Sequence, residues 1–210
     1  MNLPGFLLTI EGIDGCGKST LAKKLYAHLT QKNYSVLLTK EPGGSELGNQ
    51  LRTILQTQKT ALAGKAEFLL FAADRAQHFE KIIIPALQKG TVVISDRCSD
   101  SSLAYQGYGR DLDSNMIQMV NHWAMNGIAP DLVFYLNIDS KTALERLTAN
   151  RTTLTAFEKK TGDFWTKVIT GFEAIFAQRP EVVTLDATLD TQTVFEQAIE
   201  HLLVALKKQS

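Results

Sequence analysis

An apolar run, Phe6-Leu7-Leu8-Thr9-Ile10, leads into Gly12-Ile13-Asp14-Gly15-Cys16-Gly17-Lys18-Ser19, and a helical pattern opens at Lys18. The octad fits G-x-x-x-x-G-K-[ST], and a strand before it with a helix after it is the context that gives such a match meaning. Gly15 and Gly17 let the backbone curl so that successive N–H groups point inward. The positive end of the following helix aims at the same place. The segment therefore predicts a cradle for nucleotide phosphates, formed by Gly12 through Thr20. Lys18 is placed to reach the outer phosphates, and the Ser19 hydroxyl to ligate Mg²⁺.

Asp14 is out of character in an anion site. As a lone acid in a loop it reads as a solvated turn residue. An acid tolerated beside bound phosphate points instead to a second, acceptor side, where it takes a hydrogen bond from a sugar hydroxyl.

Four more β-rich apolar runs follow, at Ser35–Thr39, Thr91–Ser95, Asp131–Ile138 and Val182–Leu185. Several are nearly continuous in apolar residues, as strands covered on both faces require. Helical patterns separate them, near Lys18–Gln31, Leu47–Thr57, Lys65–Lys89, Ser114–Met125, Ser140–Asn150, Phe157–Ala177 and Thr191–Lys207. The alternation predicts an α/β fold: a doubly wound, five-stranded parallel sheet flanked by helices, in a single domain spanning 1–210. A length of 210 residues with 44% hydrophobic content suits one sizeable core.

The 22 basic and 22 acidic residues cancel, so no net field draws the chain to nucleic acid or an anionic membrane. The two cysteines, Cys16 and Cys98, are too few for a disulfide framework. No apolar run approaches the roughly 20 residues that cross a bilayer, and nothing at the start resembles a signal peptide. The expectation is a cytoplasmic protein.

Several side chains can serve a phosphate site. The run Thr91–Ser95 ends in Asp96-Arg97; an acid at a strand's carboxyl end can hold the shell of a Mg²⁺ ion, and an arginine can bind phosphate bidentately. A surface ion pair accounts for the same dipeptide. Phe71 and Arg75 lie four apart on one helix face, where a ring and a guanidinium could stack on a base and bond its edge, or pack in the core. Tyr105 and Gln106 offer another ring and an amide. Glu41-Pro42-Gly43-Gly44 is a turn by composition. From Arg151 to Lys160 the chain is polar and threonine-rich, a surface loop or a mobile lid.

Taken together these residues resemble bacterial-type thymidylate kinases from end to end. The resemblance is carried by Glu11 to Thr20, Glu41-Pro42-Gly43-Gly44 with Leu51-Arg52, Leu70 to Arg75, Asp96-Arg97, Ser101, Ala104-Tyr105-Gln106-Gly107, Pro130-Asp131-Leu132, Ile169 to Ile175 and Asp186-Ala187-Thr188. It implies the P-loop NTPase fold, ATP with Mg²⁺, thymidine monophosphate (dTMP) as acceptor, and a homodimer packed through helices. Residue by residue, it implies that Phe71 stacks on the base and Arg75 bonds it, while Arg97 binds the acceptor phosphate. Asp14 would contact the sugar 3′-hydroxyl, and Glu41 would line the acceptor site near the metal, beside Arg52. Ser101, Tyr105 and Gln106 would surround base and sugar, Tyr105 crowding a 2′-hydroxyl. The backbone after Asp186 would border adenine, and a lid would span about 146–162.

The chain departs from that pattern in the lid, where Thr155-Ala156 replace an Asp-Arg pair before Phe157-Glu158. Cys98 and Lys40 also replace the usual residues at their positions. With no arginine in the phosphate loop, Arg151 at the lid's start is the candidate for the missing charge, ahead of Lys159 and Lys160. Rival readings are a kinase for another nucleoside monophosphate or a deoxynucleoside, a nucleotide-driven switch, and a weakened binding module.

Overall fold

All five apolar runs become strands of one parallel sheet in the computed structural model, which describes residues 3–57, 60–150 and 162–209. They are β1 (Phe6–Glu11), β2 (Val36–Lys40), β3 (Val92–Asp96), β4 (Leu132–Asn137) and β5 (Val182–Asp186). Their order is β2-β3-β1-β4-β5, so β1 lies at the centre. Chain direction across the sheet reverses at β1: β3 lies on one side, with Ile10 opposite Asp96, and β4 on the other, with Ile10 opposite Phe134. In open α/β sheets ligands bind at the carboxyl ends of strands beside such a switch. That register brings the loop after β1 level with the loop after β3.

Helices cover both faces: α1 (Lys18–Gln31), α2 (Glu46–Thr57), α3 (Gly64–His78), α4 (Ile84–Gln88), α5 (Ser99–Ser102), α6 (Ser114–Ala124), α7 (Ser140–Asn150), α8 (Gly162–Phe176) and α9 (Thr191–Gln209). On one face, Leu8, Ile10, Phe134 and Leu136 pack with Leu25, Phe172 and Leu202. On the other, Leu7 and Val93 pack with Phe79, Ile83 and Leu87. The alternation of Leu7 and Leu8 between the two clusters is the period-2 geometry of a strand buried on both sides.

The pattern predicted as one helix over Lys65–Lys89 is interrupted by a widened π-turn at Phe79–Ile83, where the Ile84 N–H donates to the Phe79 carbonyl. Pro85 follows at the start of α4 and supplies no N–H; the wider turn absorbs the mismatch. A second π-turn, Leu103–Tyr108, continues α5 and carries Tyr105 and Gln106. Periodicity did not reveal either the four-residue α5 or this turn.

Candidate active site

The loop after β1 adopts the curled path that its glycines predict. Gly15 and Gly17 have φ of 86° and 102°, and a Cβ at Gly15 would lie 2.3 Å from the Ala143 carbonyl oxygen. Gly17 is the residue before α1, so the helix begins at Lys18 with its N–H groups facing the loop. Lys18 is buried, and its ammonium donates to the Ile13 carbonyl at 2.8 Å. The Ser19 hydroxyl donates to the Asp96 carboxylate. These are hard oxygen donors from two elements, a set that suits a Mg²⁺ ion.

A cavity of about 860 Å³ opens over this loop. Asp14, Gly15, Cys16, Lys18, Ser19 and Thr20 line it on one side; Arg146, Ala187, Asp190 and Val194 line it on another. Gly12 and Ile13 do not reach it and act through their carbonyls, which accept from Arg97 and Lys18. Asp186 does not line it either, because its carboxylate accepts from Thr188 N and Oγ1 within its own turn, leaving the border to Ala187. Arg146, which the motif reading assigned no role, donates to the Ala187 and Thr188 carbonyls at 2.6 and 3.1 Å. It falls in the last turns of α7, so the amino-terminal part of the expected lid is helical. Residues 151–161, including Arg151, Lys159 and Lys160, lie outside the described residues.

A second cavity, about 140 Å³, is lined by Phe71, Arg75, Ser101, Tyr105, Gln106 and Cys98 among others. The two cavities share Asp14, Glu41, Arg52 and Arg97. At this junction Arg97 has φ of 77°, and its guanidinium donates to Asp14 Oδ1 at 2.6 Å, to the Gly12 carbonyl at 2.9 Å and to Ser101 Oγ at 2.9 Å. It also lies 5.1 Å from the centre of the Tyr105 ring. Burial disfavours its charge, yet Tyr105, Asp14 and Asp96 raise its pKa well above the usual value. Arg52 donates to the Pro42 carbonyl at 2.9 Å, and the Glu41–Pro42 bond is cis.

Beneath the smaller cavity runs a buried polar chain. Thr39 Oγ1 meets His78 Nε2 at 2.7 Å, His78 Nδ1 meets Glu41 Oε1 at 3.1 Å, and Arg75 Nε donates to Glu41 Oε2 at 2.9 Å. Arg75 is 1% exposed and donates further to Ser102, Asn121 and the Cys98 carbonyl. Burial would raise the pKa of Glu41, but Arg75 and His78 outweigh it and hold Glu41 below the usual range. For Asp74, burial and then Glu41 push the value up to about 6.

Glu11, quoted above only as part of a motif, is wholly buried and accepts from the Cys98 N–H at 2.7 Å and the Ser101 hydroxyl at 2.6 Å. Burial, then Asp100, pushes its pKa up to about 8. Burial also raises the Cys98 thiol well above its usual value, which leaves Cys98 a neutral packing residue.

A central strand opening into a glycine-curled Lys-Ser loop, in a sheet of order β2-β3-β1-β4-β5, defines a P-loop NTPase fold. The chain belongs to the thymidylate kinase family, whose model matches residues 10–198. It is 36% identical to a thymidylate kinase of Exiguobacterium sp. over 208 residues, 98% of each chain. It is 40% identical to that of Finegoldia magna over 196 residues, 93% of this chain and 96% of the other. With that of Halothermothrix orenii it shares 49% identity over 142 residues, 68% and 69% of the two chains.

Proposed function

We propose that the chain transfers the γ-phosphoryl group of ATP to dTMP, giving ADP and dTDP. The observation that carries the reading is the junction of the two cavities at Asp14, Glu41, Arg52 and Arg97. A donor nucleotide over the Lys18 loop and an acceptor beside Phe71 would present their phosphates to each other there. In the step itself an acceptor phosphate oxygen bonds to the γ-phosphorus as the bond to the β,γ-bridging oxygen breaks. The acceptor oxygen is already anionic, so no strong base is needed, and catalysis reduces to alignment and charge neutralisation.

Lys18 exchanges the Ile13 carbonyl for phosphate oxygens, and Arg97 exchanges part of its set for the acceptor phosphate. Phe71 stacks on the base, Tyr105 closes the sugar side, and Asp14 is left to accept from the 3′-hydroxyl. Ser19 and Asp96 would hold Mg²⁺, which neutralises phosphate charge when bound. Arg151, carried on a lid over about 146–162, adds the remaining positive charge and excludes water.

We propose further that the domain acts in the cytoplasm as a homodimer. Both cysteines are free and buried, and no helix among the described residues is long and apolar enough to cross a membrane. On α6, Met116, Met119 and Trp123 are 54%, 66% and 77% exposed along one face, a stripe suited to a second copy.

The test is an acceptor panel of dTMP, dUMP, dCMP, dGMP and AMP with MgATP. The reading predicts dTMP to be preferred in kcat/KM. A clear preference for any other acceptor overturns the substrate assignment.

A further inference from the structure

Gln106 lines the smaller cavity and is 2% exposed. A side-chain amide can be turned either way, presenting a carbonyl or an NH₂ to the cavity, and the two orientations select opposite base edges. What lies behind the amide decides between them. There Glu67, from the first turn of α3 and 3% exposed, accepts from Gln106 Nε2 at 3.0 Å. Arg110 donates to both oxygens of the same carboxylate, through Nε at 3.3 Å and through NH2. A carboxylate held between such donors only accepts, so it must face the NH₂ end of Gln106. The carbonyl end is left for the cavity.

We infer that Glu67 is a specificity-determining positioning residue: by fixing the amide of Gln106, it makes the cavity present an acceptor to the bound base. This rests on the smaller cavity being the acceptor site. An acceptor at that place matches the N3–H of a 4-oxopyrimidine and opposes the bare N3 of cytosine. Glu67 touches no substrate and acts only through Gln106. Arg110 supplies the opposing charge that makes burial of the carboxylate tolerable.

The test compares kcat/KM for dTMP and dCMP in the wild type, E67Q, Gln106→Leu and the double variant. In E67Q the new carbonyl takes the Oε2 position, where Arg110 NH2 makes its closer contact, and the NH₂ takes the Oε1 position facing Gln106, at the expense of the longer Arg110 Nε contact. Gln106 then inverts. The dTMP:dCMP ratio is expected to fall by at least about tenfold, the effect of one mismatched buried hydrogen bond, with dCMP improving in absolute terms. In the Gln106→Leu background, E67Q should change the ratio no further.

A folded E67Q enzyme whose ratio stays within twofold of wild type overturns the inference, as does an effect equally large without Gln106. If Gln106→Leu itself leaves both acceptors unaffected, the acceptor-site reading fails instead. Should E67Q not fold, the side-chain NH₂ resonances of Gln106 in the wild type decide. Slow solvent exchange and no shift on adding dTMP support the inference, and a shift showing that NH₂ meets the base overturns it.

Discussion

Arg97 and Asp14 face each other at 2.6 Å across the gap between the loops after β3 and β1, joining two segments 83 residues apart. The pair sits where the two cavities meet. Its side chains are 16% and 30% exposed, so water and ligand can still reach it. An arginine stored against an acid is pre-positioned yet releasable, because an incoming dianion competes for its fork.

Replacing Arg97 by lysine tests that fork. A lysine keeps the charge but cannot span Asp14, the Gly12 carbonyl, Ser101 and Tyr105, all of which Arg97 reaches. Arg97→Lys should lower kcat for dTMP by about 10²-fold, the scale of losing one oriented donor at a developing charge. KM for ATP should stay within about a factor of two. Steady-state kinetics with each substrate varied in turn would check both.

Lys18 is predicted to matter for chemistry and hardly at all for folding. Among the described residues its ammonium meets only the Ile13 carbonyl and the Cys16 sulfur, at 2.8 and 3.6 Å. Lys18→Ala should therefore reduce dTDP formation at least about 10²-fold while thermal unfolding moves by only a few degrees. Retained turnover in a folded variant would remove the phosphate-loop assignment.

The sheet was legible because buried parallel strands leave continuous apolar runs, and the phosphate loop because its backbone needs glycine at fixed offsets. What the sequence hid were partnerships across long separations. Glu67 in the first turn of α3 looks like an ordinary solvated acid favouring the helix dipole. Its partners Gln106 and Arg110 are 39 and 43 residues away. Glu11 is silent for the same reason: its partners, Cys98 just before α5 and Ser101 within it, are 87 and 90 residues away. Arg75 reads from spacing either as a base contact or as core packing; the sequence does not show that, while lining the smaller cavity, it also donates to Glu41, Ser102, Asn121 and the Cys98 carbonyl.

The exposed α6 stripe gives a prediction about assembly. Trp123 and Met119 are large and apolar, and a polar substitution there removes a hydrophobic contact only if a partner covers them. Trp123→Glu should shift the protein from dimer toward monomer in sedimentation, with monomer stability little changed. A variant that sediments like wild type would argue for another interface.

Arg151 carries the lid hypothesis. Arg146, on α7, is already occupied by the Ala187 and Thr188 carbonyls and borders the larger cavity. The two should therefore separate kinetically. Arg151→Ala should lower kcat at least about tenfold, since a cation at the transferring group is worth considerably more than that. Arg146→Ala should act mainly on KM for ATP. Turnover of Arg151→Ala within about a factor of two of wild type would sink the assignment.

Glu11 yields a pH prediction whose sign is fixed. Its ordinary value is 4.5 and burial with Asp100 raises it to about 8, so the folded protein holds that proton more tightly than the unfolded chain. The stabilisation is complete below 4.5 and is lost as pH climbs through about 8, because there folding no longer retains the extra proton. Glu11→Gln mimics the protonated side chain: one oxygen can still accept from the Cys98 N–H, and its NH₂ can donate to Ser101 Oγ. The melting temperature of Glu11→Gln relative to wild type should therefore rise steadily from about pH 5 to about pH 8.5. Asp74, also raised, titrates in both proteins and cancels from the difference, whereas Asp100, raised by burial and facing Glu11, ionises more easily once the Glu11 charge is gone and adds to the rise. A difference that stays flat over that interval would mean Glu11 is ionised throughout, held by Arg97 and its two hydrogen bonds against the pull of burial.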